Sequence, residues 1–395
     1  MQEKLSNQPL PNPTAIRRIL VTAYGHVADV LPSGPALRAL RETYPQARIT
    51  VLVVGYVKEM LSACPYADEI FVINDFKYKG TRRGKLEQLL KLGWLAPRVW
   101  RRYDLALVFH ARSRFLTRLI WLSGARVRAG FADVASPGML THPAQPFAGV
   151  ASFRDENRRV LEAIGITSMP ASLELWPSAA DEAVVQRLLA EAGVTKDDLL
   201  IGLHPGSHWT CQQWSAKEWA AVADALVSSY GARLVITGTA DERPLAEAIT
   251  RQMTVADARP IDATGKTSIL QFAALIKRVN LLICVNSAAS QVGLAMQTPT
   301  LNLVGYENPV WTAPLKTEPM TIVRGCDDSN AVEYWCPYGV WGKLSQCHRD
   351  ECVGIGGLSL ITPRMVLRQV ERSLKAGKEK EGVRGENAAS NITVQ

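Results

Sequence analysis

Residues Ile19 to Leu40 read ILVTAYGHVADVLPSGPALRAL. The run from Ile19 to Ala23 has the unbroken apolar character of a buried strand, Gly25 frees the backbone for a sharp turn, and Pro35 opens a helix with Ala36, Leu37 and Leu40 on one face. This is the first βα unit of an α/β fold of the nucleotide-binding type. Ligands of such sheets sit in the loops after the carboxyl ends of strands, and this loop carries a carboxylate, Asp29, just before the helix. An aspartate there can serve as an active base or as a helix cap, and both remain open at this point.

Outward from that unit, Arg48 to Val54 (RITVLVV), Glu69 to Ile73 (EIFVI) and Leu105 to Phe109 predict further buried strands. A helix from about Arg114 to Ser123 and the segment ARVRAGF follow. Near Pro170 the pattern changes; a helix from Ala180 to Ala192 leads through VTKDD into a second series. Its strands are predicted at Leu200 to His204, Arg233 to Thr237, Leu281 to Val285 and Thr300 to Val304. Its helices are predicted near Ala216 to Tyr230, Arg243 to Gln252 and Ile269 to Val279, with a last helix at Pro363 to Lys375. The expected organisation is a disordered lead-in over 1–14, an N-terminal Rossmann-like domain over 15–175, a linker over 176–198, a C-terminal one over 199–361, a helix over 362–376 and a disordered tail over 377–395. Two such halves imply a cleft between them.

A chain of 395 residues suits two domains. No apolar run reaches the roughly 20 residues of a membrane span, and the polar, proline-broken start MQEKLSNQPLPNPT lacks the core of a signal peptide, so a cytoplasmic location is expected. Seven scattered cysteines suggest reduced thiols. The net charge of +8 points to an anionic partner. Lys91, Trp94, Leu95, Arg98, Trp100, Arg101 and Arg102 interleave bases with tryptophans. Such a helix suits an anionic bilayer surface, unless the tryptophans are buried and the arginines merely solvated. Nucleic acid has only the net charge in its favour and is not expected as a partner.

Four motifs carry candidate chemistry. In Leu203 to Trp214, LHPGSHWTCQQW, a strand runs through His204, Gly206, Ser207 and Gln212 toward a helix, which suits an anion cradle or an ordinary connector around a buried Trp214. In Ile236 to Arg243, Asp241 or Glu242 suits ribose hydroxyls, or the first turn of a helix. Asn286, Ser287, Ala288 and Ala289 cross from strand to helix, where small residues allow either a ligand or tight packing. Cys326, Cys336, Cys347 and Cys352, near His348, are spaced unlike a structural zinc site. A loop closing over the cleft is the better expectation for them, and no metal is expected.

Taken together these pieces resemble glycosyltransferase family 9, the heptosyltransferases of the lipopolysaccharide inner core, from about Ile19 to the final helix. The family pattern G-D-V-L…P-A-L-R-A-L is matched at Ala28 to Leu31 and Pro35 to Leu40, and Y-P-x-A-x-I-T-x-L-V at Tyr44 to Val53. R-Y-D-L…R-S…G-A-x-x-R-x-G-F is matched at Arg102 to Leu105, Arg112, Ser113 and Gly124 to Phe131. H-P-G…W recurs at His204 to Gly206 and Trp214, and G-K-T-S at Gly265 to Ser268.

The resemblance implies the GT-B architecture, two Rossmann-like domains facing across a cleft, and metal-independent transfer with inversion. It implies Asp29 as base, with Gly25, His26 and Arg112 on the acceptor side. His204, Gly206, Ser207, Gln212, Glu242, Asn286, Ser287 and Ala288 would lie on the donor side. It further implies no cofactor, a nucleotide-sugar co-substrate (ADP-heptose by default), and a lipid-linked glycan acceptor that brings the protein against the anionic inner membrane. Two departures fall on the donor side. Gln212 stands where relatives carry a lysine or arginine, and Val285 to Gly293 (VNSAASQVG) replaces N-D-S-G-P-M-H-L-A, so neutral groups replace charged ones. A relative that binds glycan or nucleotide without transferring sugar is the alternative these departures raise.

Overall fold

A computed structural model describes residues 11–74, 82–148, 151–207, 212–255, 259–305, 314–324 and 358–375. The disorder expected of residues 1–10 and 377–395, His208 in the H-P-G loop, and the late cysteines with His348 lie outside the described residues. Residues 12–15 form a turn, with the Thr14 N–H donating to Asn12 Oδ1 at 3.0 Å.

The chain divides into two compact units, with the break between Trp176 and Pro177. In the first, β1 (Arg18–Thr22), β2 (Arg48–Val54), β3 (Glu69–Ile73), β4 (Leu105–Val108), β5 (Val127–Phe131) and β6 (His142–Ala144) form one sheet in the order β3-β2-β1-β4-β5-β6. Every pairing is parallel, and Ile19 stands opposite both Ile49 and Leu105. Both central strands are buried after their first residue or throughout, as a sheet covered by helices on two faces requires. Thr22 is the polar exception, and its hydroxyl donates to the Leu107 carbonyl at 3.3 Å.

The second unit repeats the arrangement. Here β7 (Leu200–His204), β8 (Arg233–Ile236), β9 (Ile261–Asp262), β10 (Leu281–Val285), β11 (Thr300–Leu303) and β12 (Met320–Val323) take the order β12-β11-β10-β7-β8-β9, again all parallel. In each unit the first strand is central and the order reverses beside it, between β1 and β4 and between β7 and β10. Such a reversal opens a crevice at the carboxyl ends of the strands, the usual ligand position of this fold.

Side-chain caps set several helix starts. Ser113, Ser152, Ser178, Ser215 and Ser268 each accept the backbone N–H three residues on. Helix Ala179–Glu191 packs on helix Ile269–Arg278, with Lys277 Nζ 2.9 Å from Glu182. The preceding segment belongs to the first unit, where Glu174 receives Arg38 at 2.8 Å and the Tyr66 hydroxyl at 2.6 Å. Trp214 is buried and donates to the Ile361 carbonyl at 3.0 Å, which ties the helix at residues 363–375 to the second unit.

The helix expected to open at Pro35 is present, with Ala36, Leu37 and Leu40 buried, but Asp29, expected in the loop before it, lies within an earlier helical turn. The segment after β1 is helical from Val27, eight residues before Pro35, through Val27–Val30, a 3-10 turn at Leu31–Ser33 and helix Gly34–Thr43. Proline at the second position of that last helix needs no N–H partner, so its entry is compatible with a preceding turn.

Candidate functional site

Each unit has candidate residues at its reversal point. In the first, Asp29 is the third residue of helix Val27–Val30, and its Oδ2 accepts the His26 N–H at 2.7 Å. The carboxylate rests on the backbone of Gly25, where a β-carbon would stand 2.6 Å from both Asp29 Cβ and Oδ2. Asp29 is 7% exposed. Burial pushes its carboxyl above the usual aspartate range, while the His26 N–H and the His26 ring pull the other way. Capping and proton acceptance are therefore compatible in one group: the cap orients the carboxylate and the burial raises its proton affinity.

His26 stacks on Tyr56, with ring centroids 5.5 Å apart, and the Tyr56 hydroxyl lies 3.3 Å from His26 Nδ1 and 3.4 Å from the Gly25 carbonyl. Tyr56 follows β2 and half of it is exposed. It was not among the residues expected from sequence, although an aromatic just past the carboxyl end of a strand is a readable signal. Arg112, after β4, pairs with Asp133 at 3.2 Å and Glu156 at 3.0 Å, and its guanidinium lies 4.9 Å from the Phe131 ring centroid. Behind these loops, fully buried Asn157 accepts the His110 N–H at 2.9 Å and donates to the Pro32 carbonyl at 3.1 Å and Ser33 Oγ at 3.3 Å. It thereby joins the loop after β4 to the turn that follows Asp29. Nothing in the apolar periodicity of FRDENRRVLE announced that role.

In the second unit, His204 ends β7 and its Nδ1 lies 2.9 Å from Thr237 Oγ1. The Thr237 hydroxyl is also 3.2 Å from the Leu203 carbonyl, which can only accept. The threonine proton goes there, so the network assigns the His204 proton to Nδ1. Burial holds this imidazole below the ordinary histidine range, against the opposing pull of Glu242, so His204 is a neutral group. Ser207 Oγ donates to Gln212 Oε1, and Gln213 Nε2 donates to the Ser207 carbonyl at 3.1 Å.

Glu242 covers the bare backbone of this loop. A β-carbon on Gly206 would fall inside its carboxylate, and one on Gly238 would stand 2.8 Å from Oε2. The same Oε2 accepts the Thr239 N–H at 2.6 Å. Beside β7, Cys284 of β10 stands opposite His204, so Asn286 and Ser287 emerge at the neighbouring strand end. Asn286 Oδ1 accepts from Asn302 at 3.2 Å. Ser287 caps helix Ala288–Ala295, and Asn286, Ser287 and Ala288 are all half-buried. The chemistry thus separates: a carboxylate lies over Gly206, and helix N–H groups lie at the next strand end.

Among the described residues no group of three or more His, Cys, Asp or Glu side chains is arranged to hold a metal, and no helix is long and apolar enough to cross a membrane. Cys64 and Cys284 are buried free thiols.

Residues 150–341 match the model of glycosyltransferase family 9 (heptosyltransferase). Lipopolysaccharide heptosyltransferase 3 of Escherichia coli is 25% identical over 355 residues, covering 88% of this chain and 96% of the relative. Lipopolysaccharide heptosyltransferase 2 of Salmonella typhimurium is 24% identical over 311 residues, covering 75% and 85%. Among solved structures, a family 9 glycosyl transferase from Veillonella parvula superposes with a TM-score of 0.73 at 24% identity, covering 91% of this chain and 97% of that one. The ADP-heptose lps heptosyltransferase II of E. coli superposes at 0.65 and 20% identity, covering 91% and 99%. The fold is GT-B.

Proposed function

We propose that the chain is a glycosyltransferase of family 9, whose model matches residues 150–341, and that it transfers heptose from ADP-heptose to a lipopolysaccharide-core or related lipid-linked glycan. Transfer proceeds with inversion and uses no metal. The acceptor hydroxyl gives its proton to Asp29 as its oxygen bonds to the anomeric carbon, and the bond from that carbon to the diphosphate oxygen breaks from the opposite face. The electron pair departs on ADP. A general base of this kind contributes about 10² to 10⁴ in rate.

The observation that carries the reading is the Asp29 carboxylate, buried at the reversal point of its sheet and held by the His26 N–H. Gly25, His26 and Arg112 flank the acceptor in this scheme. On the donor side, a carboxylate over Gly206 repels a diphosphate and attracts hydroxyls, so Glu242 takes the ribose. The phosphates go to the N-terminus of helix Ala288–Ala295, with Ser287 and Asn286, where backbone N–H groups and the helix dipole favour negative charge. His204, Ser207 and Gln212 contribute neutral hydrogen-bonding groups between them. Work on a lipid-linked acceptor places the protein in the cytoplasm, against the inner membrane.

The test is transfer from ADP-heptose to a core acceptor by the wild-type chain and by Asp29→Asn. Wild-type turnover with a loss of about 10² to 10⁴ in the variant is expected, and near-normal turnover by a folded Asp29→Asn refutes the role of Asp29. Because burial raises the Asp29 carboxyl, the acid limb of kcat/KM should lie above the ordinary aspartate range. No binding across a panel of ADP-sugars would favour a member that holds glycan without transferring sugar, the outcome that the neutral Gln212 and Asn286 would then explain.

A further inference from the structure

Five of the ten large apolar side chains exposed among the described residues fall between Leu86 and Trp100. They belong to helix Arg82–Val99 and the residue after it. The helix already has a buried side: Leu92, Leu95 and Val99 join a core with Phe115, Leu119 and Ile120. At 3.6 residues per turn, Leu86, Leu90 and Trp94 share the other side of the helix; they are 58%, 67% and 52% exposed, and the Trp94 ring stacks at its edge on Phe71, with centroids 6.4 Å apart. Leu89, beside them, is 62% exposed. The expectation that this helix buries its tryptophans is therefore corrected, since Trp94 and Trp100 both stand out from the surface while Leu95 packs inside.

A helix with apolar residues on both sides has a second partner to find. The charge around the outward stripe selects it. Residues 82–102 carry seven lysines and arginines and one acid, Glu87. Glu87 is 3.0 Å from Lys91. The Arg98 guanidinium lies 3.8 Å over the Trp94 ring, a pairing of base and indole suited to the headgroup level of a bilayer. Helix Arg114–Leu122 packs alongside and exposes Trp121, with Arg114 and Arg118 also exposed. A second copy of this chain would bring like charge against like charge, and a nucleic acid would leave the leucines in water. An anionic bilayer satisfies both components, with phosphates meeting the bases and acyl chains the leucines.

We propose that the outward face of helix Arg82–Val99, formed by Leu86, Leu89, Leu90 and Trp94 and continued by Trp100, is the surface by which this protein docks on an anionic lipid bilayer. This deepens the reading of a lipid-linked acceptor, and it is tested without relying on transfer. The full chain is sedimented with vesicles of phosphatidylcholine alone and of phosphatidylcholine mixed equally with phosphatidylglycerol. Partitioning roughly tenfold stronger onto the anionic vesicles is expected, weakening with salt. The variant Leu86→Gln, Leu89→Gln, Leu90→Gln keeps helix-forming side chains on the exposed side, and should lose that binding by roughly tenfold with an unchanged circular dichroism spectrum.

Wild-type protein that stays in the supernatant with both vesicles overturns the proposal. So does a folded variant that sediments as well as wild type, or a wild-type dimer in free solution that the variant dissolves. If vesicle binding holds but no sugar is transferred to any acceptor, the transferase reading fails and the docking face stands. If transfer to a water-soluble acceptor holds and vesicle binding does not, the reverse is true.

Discussion

Gly25 and Asp29 are fitted to each other, because the carboxylate occupies the volume that any side chain at Gly25 would need. A β-carbon there meets Asp29 Cβ and Oδ2 at 2.6 Å, a separation at which one of the two must move. Gly25→Ala is expected to displace the carboxylate from the His26 N–H, costing about 1 to 3 kcal/mol of stability and at least tenfold in kcat while donor affinity is kept. Denaturant titration alongside steady-state kinetics checks both. Deeper in the same unit, burial pushes His110 down to about 4 from its ordinary 6.5. Between those values the unfolded chain binds a proton that the folded chain refuses, so stability falls as pH drops through this window. The loss at full protonation is about 3 kcal/mol. Urea titrations at pH 7 and pH 4.5 should show a smaller difference in His110→Gln than in wild type; an identical difference would assign the acid sensitivity elsewhere. The glycine turn and its carboxylate were legible in GHVAD. The contact between them was not, since it depends on a helical turn that began before the proline taken as the helix start.

At the scale of elements, the loops that carry candidate residues are held by a helix that contributes no candidate of its own. Helix Phe153–Glu162 packs against the Leu31–Ser33 turn and against helix Gly34–Thr43. Its Asn157 holds both the His110 N–H and the Pro32 carbonyl. Asn157→Leu leaves those two buried backbone groups without their partner, at about 1 to 3 kcal/mol each. Because the turn they fix follows Asp29, the variant should also lose kcat more than acceptor KM. Thermal unfolding and kinetics measured together distinguish this from a general loss of stability, which would leave kcat per folded molecule unchanged. That helix escaped the sequence because three of its five buried residues, Arg154, Glu156 and Asn157, are polar and only Val160 and Leu161 are apolar. The strands were legible wherever they are long and apolar: β2, β3, β7 and β10 have the expected bounds at both ends. β6 and β9, of three and two residues, have too little sequence to carry a period.

Across the whole molecule, two sheets with the same strand order carry opposite equipment at their reversal points. The first offers a carboxylate of raised proton affinity, and the second offers a neutral histidine, hydroxyls and a helix N-terminus. The paired architecture was readable from two series of βα repeats, and so was the likeness to glycosyltransferase family 9. What could not be read was how the second loop is filled, because Glu242 reaches Gly206 from an acidic first turn that serves equally well as an ordinary cap. This division of labour predicts where ADP acts. Each unit has its own apolar core, the second built around Trp214, Trp219 and β7, the first around β4 and helix Arg114–Leu122. A nucleotide bound to one should therefore stabilise that one. At ADP about 100-fold above its Kd, the bound unit gains about 2.7 kcal/mol, equivalent to roughly 100-fold slower exchange of amides that open with it. Hydrogen exchange on the full chain should then slow at Leu203–Ser207, Thr239–Glu242 and Asn286–Ser290, with Leu20–Leu31 unchanged. Protection confined to Leu20–Leu31 would assign the nucleotide to the carboxylate-bearing unit and exchange the proposed donor and acceptor roles. The second unit's phosphate site would then have to be sought away from the Ser287 cap.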